Sequence, residues 1–278
     1  MSELTKRILS AIVMILVFFY LIYDASLVGI IFSELVFSII LWEYLGLIKK
    51  RKNKIIFISL FVLINIMLLA LLSNDKLFIS SNLLSIYFFA ISSFSWIFIG
   101  FWVFKYQGEP ITDLRVSLLG ALVLIPAMYS LFIILTNSMY PLLIIGAVSI
   151  ADTSAYFIGR RLGKRPIIPN VSPGKTVEGL IGSLIITPLF TSIAALILDN
   201  NIIHFLFFGV AVSLISFIGD VFFSLLKRNR NIKESSNLIP GHGGFIDLLD
   251  GTIAILPFFA LSFLLALLLN YNFLGFIF

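Results

Sequence analysis

Asp152, Asp220, Asp247 and Asp250 share the second half of the sequence with Lys175, Lys227 and a run of arginines and lysines. Carboxylates that can hold a hard cation, next to cations that can receive an anion, suggest chemistry on phosphates. The chain has no cysteine, which excludes disulfides, thiolate metal sites and cysteine nucleophiles. His204 and His242 are the only histidines, too few for a histidine metal site, and His204 reads as an ordinary interfacial residue. Any metal here is held by oxygen.

Spacing groups these residues. Ser149, Asp152, Tyr156 and Arg160 recur at helical intervals, as do Ser213, Ser216, Asp220, Ser224 and Lys227, so each set forms a polar stripe on one helix face. Asp152 precedes Gly159, and Asp220 precedes Lys227, by about two turns, or roughly 10 Å at 1.5 Å per residue. Two such stripes predict a wet cleft with intramembrane carboxylates at its floor, although a structural ion pair is the plainer reading of each aspartate. In "IPGHGGFIDLLDG", Gly241, Gly243 and Gly244 around His242 permit close backbone approach to a ligand. Asp247 and Asp250 then share a face of the last helix, where they either complement the helix dipole or help to hold magnesium.

The stretch "NVSPGKTVEG" ends like a phosphate-binding P-loop, but Pro169 stands where that motif requires its first glycine. The loop also joins two membrane spans. What it offers is a helix entrance, with Ser172 or Thr176 as cap, free first-turn amides for an anion, and Lys175 and Glu178 alongside. Arg160, Arg161, Lys164 and Arg165 add positive charge, which serves equally as a topology signal.

These residues must be positioned by membrane helices. Of 278 residues 60% are hydrophobic and 12% charged, against about 25% charged in a soluble domain. Apolar runs near 8–23, 27–48, 55–73, 77–104, 115–135, 141–159, 178–198, 202–226 and 252–270 predict an all-α polytopic protein of nine spans. The first reads as a span and not a cleaved signal. With the N-terminus cytoplasmic and the C-terminus outside, 18 of the 19 basic residues fall on the cytoplasmic side and only Lys76 outside. The net charge of +5 thus reads as topology and attraction to anionic lipid, without nucleic acid. Residues 1–140 read as a transmembrane scaffold. Residues 141–278 read as the catalytic region, with polar cytoplasmic loops at 160–177 and 227–251.

The runs "DTSAYFIGRRLGKRPIIPNVSPGKTVEGLIG" and "SLLKRNRNIKESSNLIPGHGGFIDLLDG" resemble the two hallmark blocks of the phosphatidate cytidylyltransferases, the CDP-diacylglycerol synthases. The first resemblance rests on Asp152, Tyr156, Arg160, Ser172, Lys175, Thr176 and Glu178, the second on Ser224, Lys227, Arg228, Lys233, His242, Gly243, Gly244, Asp247 and Asp250. The resemblance implies transfer of CMP from CTP to phosphatidic acid drawn from the bilayer, with release of pyrophosphate. It implies magnesium held by Asp220 and Asp250, with Asp247 and Asp152 as further partners, and a monovalent cation as a candidate helper. Lys175, Arg160 and the Gly243–Gly244 turn would then receive phosphates, and Lys227, Arg228 and His242 would face the lipid phosphate or the nucleotide. A homodimer in the inner membrane, with its site facing the cytoplasm, completes the expectation. Glu234 and Leu248 stand where the family usually has aspartate and arginine, and Arg228 or Arg230 are candidates to supply the missing cation. A CTP-dependent polyprenol or phytol kinase and a membrane transporter remain alternatives.

Overall fold

A computed structural model describes residues 27–72, 83–134, 139–198, 201–241 and 243–268. They form α1 (Leu27–Gly46), α2 (Arg51–Leu72), α3 (Leu83–Phe104), α4 (Asp113–Ile134), α5 (Met139–Leu162), β1 (Pro166–Ile168), β2 (Ser172–Thr176), α6 (Val177–Ile197), α7 (Ile202–Asn229) and α8 (Phe245–Leu268). Helices dominate because a chain in lipid must satisfy its own backbone hydrogen bonds. The two strands form a short antiparallel hairpin, pairing Pro166 with Thr176 and Ile168 with Ser172.

The nine-span expectation is not met. Among the described residues there are eight helices, and six are long and apolar enough to cross a membrane: Leu83–Phe104, Asp113–Leu131, Pro141–Leu162, Val177–Ile197, Ile202–Asn229 and Phe245–Ala266. The runs at 27–48 and 55–73 do form α1 and α2 but are not among the six. α1 contains Glu34 and Glu43, and Arg51, Lys52 and Lys54 open α2. The side chains of residues 27–30, 32–33 and 67–72 lie outside the described residues, and the described parts of α1 and α2 are too short to count as spans. The expected span at 8–23 and both chain ends lie outside the described residues. The last helix also begins earlier than the apolar run at 252–270, so Asp247 and Asp250 lie inside it.

The C-terminal helices pack in sequence order, α5 on α6, α6 on α7 and α7 on α8, and α8 also touches α1, α3, α4 and α5. Small residues allow the close crossings that lipid favours. A Cβ at Gly179 would fall 2.6 Å from the Ala155 carbonyl oxygen, and one at Gly219 would fall 2.6 Å from that of Asp250. Outward, Ile181, Ile185, Leu189, Ile193 and Leu196 leave an apolar flank on α6 exposed, as a lipid-facing helix requires.

All described lysines and arginines lie in or beside the segments that join α1 to α2, α3 to α4, α5 to α6 and α7 to α8. Long-range polar contacts draw three of these connections together. The Lys50 amide donates to Asp113 Oδ2 at 2.6 Å, and Arg230 pairs with Asp113 Oδ1 at 2.8 Å. Asn229 donates to the Tyr106 hydroxyl and the Glu109 carbonyl and accepts from the Ile111 amide. Only 10% of the Arg230 side chain and 7% of that of Asp113 are exposed, so removing one partner leaves a charge buried without its counter-ion. Asp113→Ala is expected to destabilise the protein by about 3–5 kcal/mol, read as a lowered Tm of the purified chain in detergent micelles.

Candidate functional site

The site is built where α5, β2, α7 and α8 meet. Lys175 leaves β2 and forms an ion pair with Asp220 Oδ2 on α7. The Ser224 hydroxyl donates to Asp220 Oδ1 at 3.3 Å. Asp152 on α5 lies within electrostatic reach of Lys175 and Asp220. Asp250 on α8 feels Asp220, Asp152, Lys227 and Lys175, and its Oδ1 accepts from the Gly251 amide at 2.7 Å. Burial alone would pull the Lys175 ammonium below its ordinary value, but Asp220 and Asp152, with a smaller effect of Asp250, raise it overall. Lys175 therefore stays positively charged throughout the physiological range.

The close crossing of α7 and α8 brings the two carboxylates together. Gly219 lies against the Asp250 backbone, and Gly251 against Ser216. Their neighbours Asp220 and Asp250 are thus carried to the same junction. The lower part of the α7 stripe has another use: Ser213 donates to Ser183 and Gly209 carbonyl oxygens, and Ser213 and Ser216 are each 1% exposed. These serines pack helices, so the polar site begins at Asp220. On α5, Tyr156 accepts a hydrogen bond from Arg160 at 3.0 Å, and both are exposed.

Asp247 has a different environment. Its Oδ1 pairs with Lys227 on α7, and its Oδ2 accepts from the Ser235 amide at 2.7 Å, the Gly244 amide at 2.9 Å and the Ser235 hydroxyl at 3.0 Å. Both oxygens are engaged by protein donors. The glycine turn is also internally bonded, since the Gly243 amide donates to Ile239. Gly243 has φ +89°, and its Cβ would fall 2.6 Å from Asp247 Oδ2. Glycine here admits a carboxylate to the backbone, and neither the Gly243 nor the Gly244 amide points freely at a ligand. His242 lies outside the described residues.

The entrance to α6 is similarly occupied. Thr176, and not Ser172, is the cap, accepting from the Gly179 amide at 3.2 Å. The Val177 amide donates to Arg165 O. Glu178 accepts from the Lys164 and Arg165 amides and the Arg165 side chain. It thus clamps the basic loop to α6. The Val177 and Gly179 amides, expected to be free for an anion, are used within the protein, and phosphate reception falls mainly to cationic side chains. Arg160, Arg161, Lys164, Arg165, Arg228 and Lys233 are exposed. Arg228 reaches only the Ile232 carbonyl, and Arg230 is committed to Asp113. Lys227 on α7 pairs with Asp247, the residue before Leu248 on α8.

Glu43 is a residue that the motifs missed. It is 2% exposed and bonded to the loop before α8 and to that helix's first amides. An acidic residue inside the apolar run 27–48 was the available signal.

Over residues 5–266 the chain matches the family model described as the cytidylyltransferase family. The chain belongs to the cytidylyltransferase family. Among its relatives, a phosphatidate cytidylyltransferase of Staphylococcus saprophyticus is 30% identical over 256 residues, covering 90% of this chain and 95% of its own. Those of Haemophilus influenzae and Bacillus subtilis are 46% and 42% identical over 116 and 118 residues. These matches span 40% and 42% of this chain and 40% and 43% of theirs.

A cation of this family can be tested against the donors present. Among the described residues, no three His, Cys, Asp or Glu side chains are assembled as a metal cluster. Asp152, Asp220 and Asp250 nevertheless gather around Lys175, with Lys227 also acting on Asp250, an excess of negative charge that a divalent cation would balance. All-oxygen donors suit a hard cation that retains water and binds phosphate. The residues fit such an ion. Because an amine must lose its proton to acylate, Lys175 should resist N-hydroxysuccinimide acetate in mildly alkaline buffer while exposed Lys164 reacts. Asp220→Asn should increase Lys175 labelling several-fold, measured by peptide mass spectrometry.

Proposed function

We propose that this cytidylyltransferase-family protein is a phosphatidate cytidylyltransferase, transferring CMP from CTP to phosphatidic acid to give CDP-diacylglycerol and pyrophosphate. The observation that carries this reading is the convergence of Asp152, Asp220 and Asp250 on Lys175 beside the polar edge of a membrane bundle. The full-length similarity to the Staphylococcus saprophyticus enzyme supports the substrate pair.

In the proposed reaction an oxygen of the lipid phosphate forms a bond to the α-phosphorus of CTP. The bond from that phosphorus to the oxygen bridging the β-phosphate breaks, and pyrophosphate leaves with the electron pair. The attacking phosphate is already ionised, so no general base is required. Catalysis is therefore mostly positioning and charge neutralisation. Asp220 and Asp250, with Asp152 beside them, would hold magnesium, which supplies Lewis-acid stabilisation of the phosphate oxygens. Lys175 keeps its proton and offsets the charge of the polyanions. Arg160, Arg161, Lys164 and Arg165 attract CTP and the anionic headgroup to the face where Lys175 sits. Asp247 and Lys227 fix the geometry of α7 against α8. Acyl chains would enter sideways between helices.

The purified chain with CTP, magnesium and phosphatidic acid should yield CDP-diacylglycerol by mass spectrometry. Label at the α-phosphate of CTP should pass to the lipid, whereas transfer of the γ-label would identify a lipid kinase. Asp220→Asn should lower turnover by about 10²-fold or more. Full magnesium-dependent turnover in that variant would remove Asp220 from the metal site.

The clustering of the basic connections supports a site on the cytoplasmic face of the inner membrane. The cysteine-free sequence permits a direct check. A single cysteine introduced as Asn170→Cys should react with a membrane-impermeant maleimide in inverted vesicles and remain unlabelled in intact cells.

A further inference from the structure

We infer that Glu43 is a positioning residue of the active site, setting the start of α8 and through it the places of Asp247 and Asp250. The inference rests on the reaction proposed above. Glu43 belongs to α1, far in sequence from both polar blocks, yet its carboxylate reaches the loop and helix that carry these aspartates. Oε1 accepts from the Ser236 hydroxyl at 2.7 Å and the Phe245 amide at 2.9 Å. Oε2 accepts from the Ser235 hydroxyl at 2.9 Å and the Ile246 amide at 2.8 Å. A carboxylate offers about four lone-pair sites, and here each oxygen takes two donors.

The arrangement does more than bury a polar group. Phe245 and Ile246 begin α8, and their amides have no partner within the helix. By taking both, Glu43 fixes where α8 starts, immediately before Asp247 and one turn before Asp250. The single Ser235 hydroxyl proton is shared between Glu43 Oε2 and Asp247 Oδ2, at 2.9 and 3.0 Å. Asp247 then continues to Lys227 on α7. A connected path thus runs from α1 through the loop before α8 to α7. Gly244 is part of the same fit, because its Cβ would fall 2.1 Å from Ser235 Oγ and 2.4 Å from Glu43 Oε1.

Glu43→Gln tests the idea, since the amide keeps the shape but replaces one acceptor oxygen by a donor facing donors. The control is Tyr44→Phe, which removes a buried bond from the adjacent residue, the 2.7 Å contact of its hydroxyl with Val116 O. Both variants are compared with the full-length chain in lipid nanodiscs, by Tm, by kcat and KM for CTP and phosphatidic acid, and by amide hydrogen exchange over residues 235–247. Glu43→Gln should lower kcat by about 10²-fold, change either KM far less, and accelerate exchange over 235–247. Tyr44→Phe should lower Tm while leaving that exchange unchanged and kcat within about twofold. Unchanged exchange in Glu43→Gln, retained kcat, or equal loss of kcat in both variants would overturn the inference. If the unsubstituted chain forms no CDP-diacylglycerol, the proposed reaction falls and takes the inference with it. Turnover by that chain and equal turnover by Glu43→Gln would sink the inference alone.

Discussion

The structure depends on neutralising carboxylates at the polar edge of a lipid-embedded bundle. An isolated ionised side chain at that depth costs several kcal/mol, so each acid must meet a cation or a set of donors. Lys175 answers for Asp220 and acts on Asp152 and Asp250, joining β2 to α5, α7 and α8. Lys227 answers for Asp247 across α7 and α8. Arg230 and the Lys50 amide answer for Asp113. These contacts fasten the helices at one face, while the rest of their length is joined by apolar packing and close glycine crossings.

At the candidate site neutralisation is incomplete among the described residues. Glu178, Asp247 and Glu43 have filled sets of protein donors, and these three organise loops. Asp152, Asp220 and Asp250 share one lysine more loosely. The difference separates structural acids from those available to a cation, though all are carboxylates at least partly withdrawn from solvent. Asp247 draws its positive partner, Lys227, from a neighbouring helix.

The division into an N-terminal scaffold and a C-terminal catalytic region is crossed by Glu43. That residue reaches a loop about two hundred residues later. Since α8 also packs against α1, α3 and α4, the geometry of Asp250 depends on both halves of the chain.

Composition and spacing were enough to place the protein in the membrane and to single out Asp152, Lys175, Asp220 and Asp250, because lipid makes every intramembrane charge conspicuous. A helix cap at Ser172 or Thr176 was similarly readable from local pattern, and the structure selected Thr176. Window counting over the whole sequence gave nine spans, whereas among the described residues six helices are long and apolar enough to cross a membrane, the run at 8–23 and the side chains of parts of α1 and α2 lying outside those residues. The tertiary structure decided which carboxylates are already satisfied, since hydrogen-bond partners such as Ser235, Gly244 and Glu43 lie on separate segments. It also decided that the amides of the glycine turn and the Val177 and Gly179 amides of the α6 entrance serve the protein itself. A sequence names the donors and acceptors, but only packing determines which of them meet.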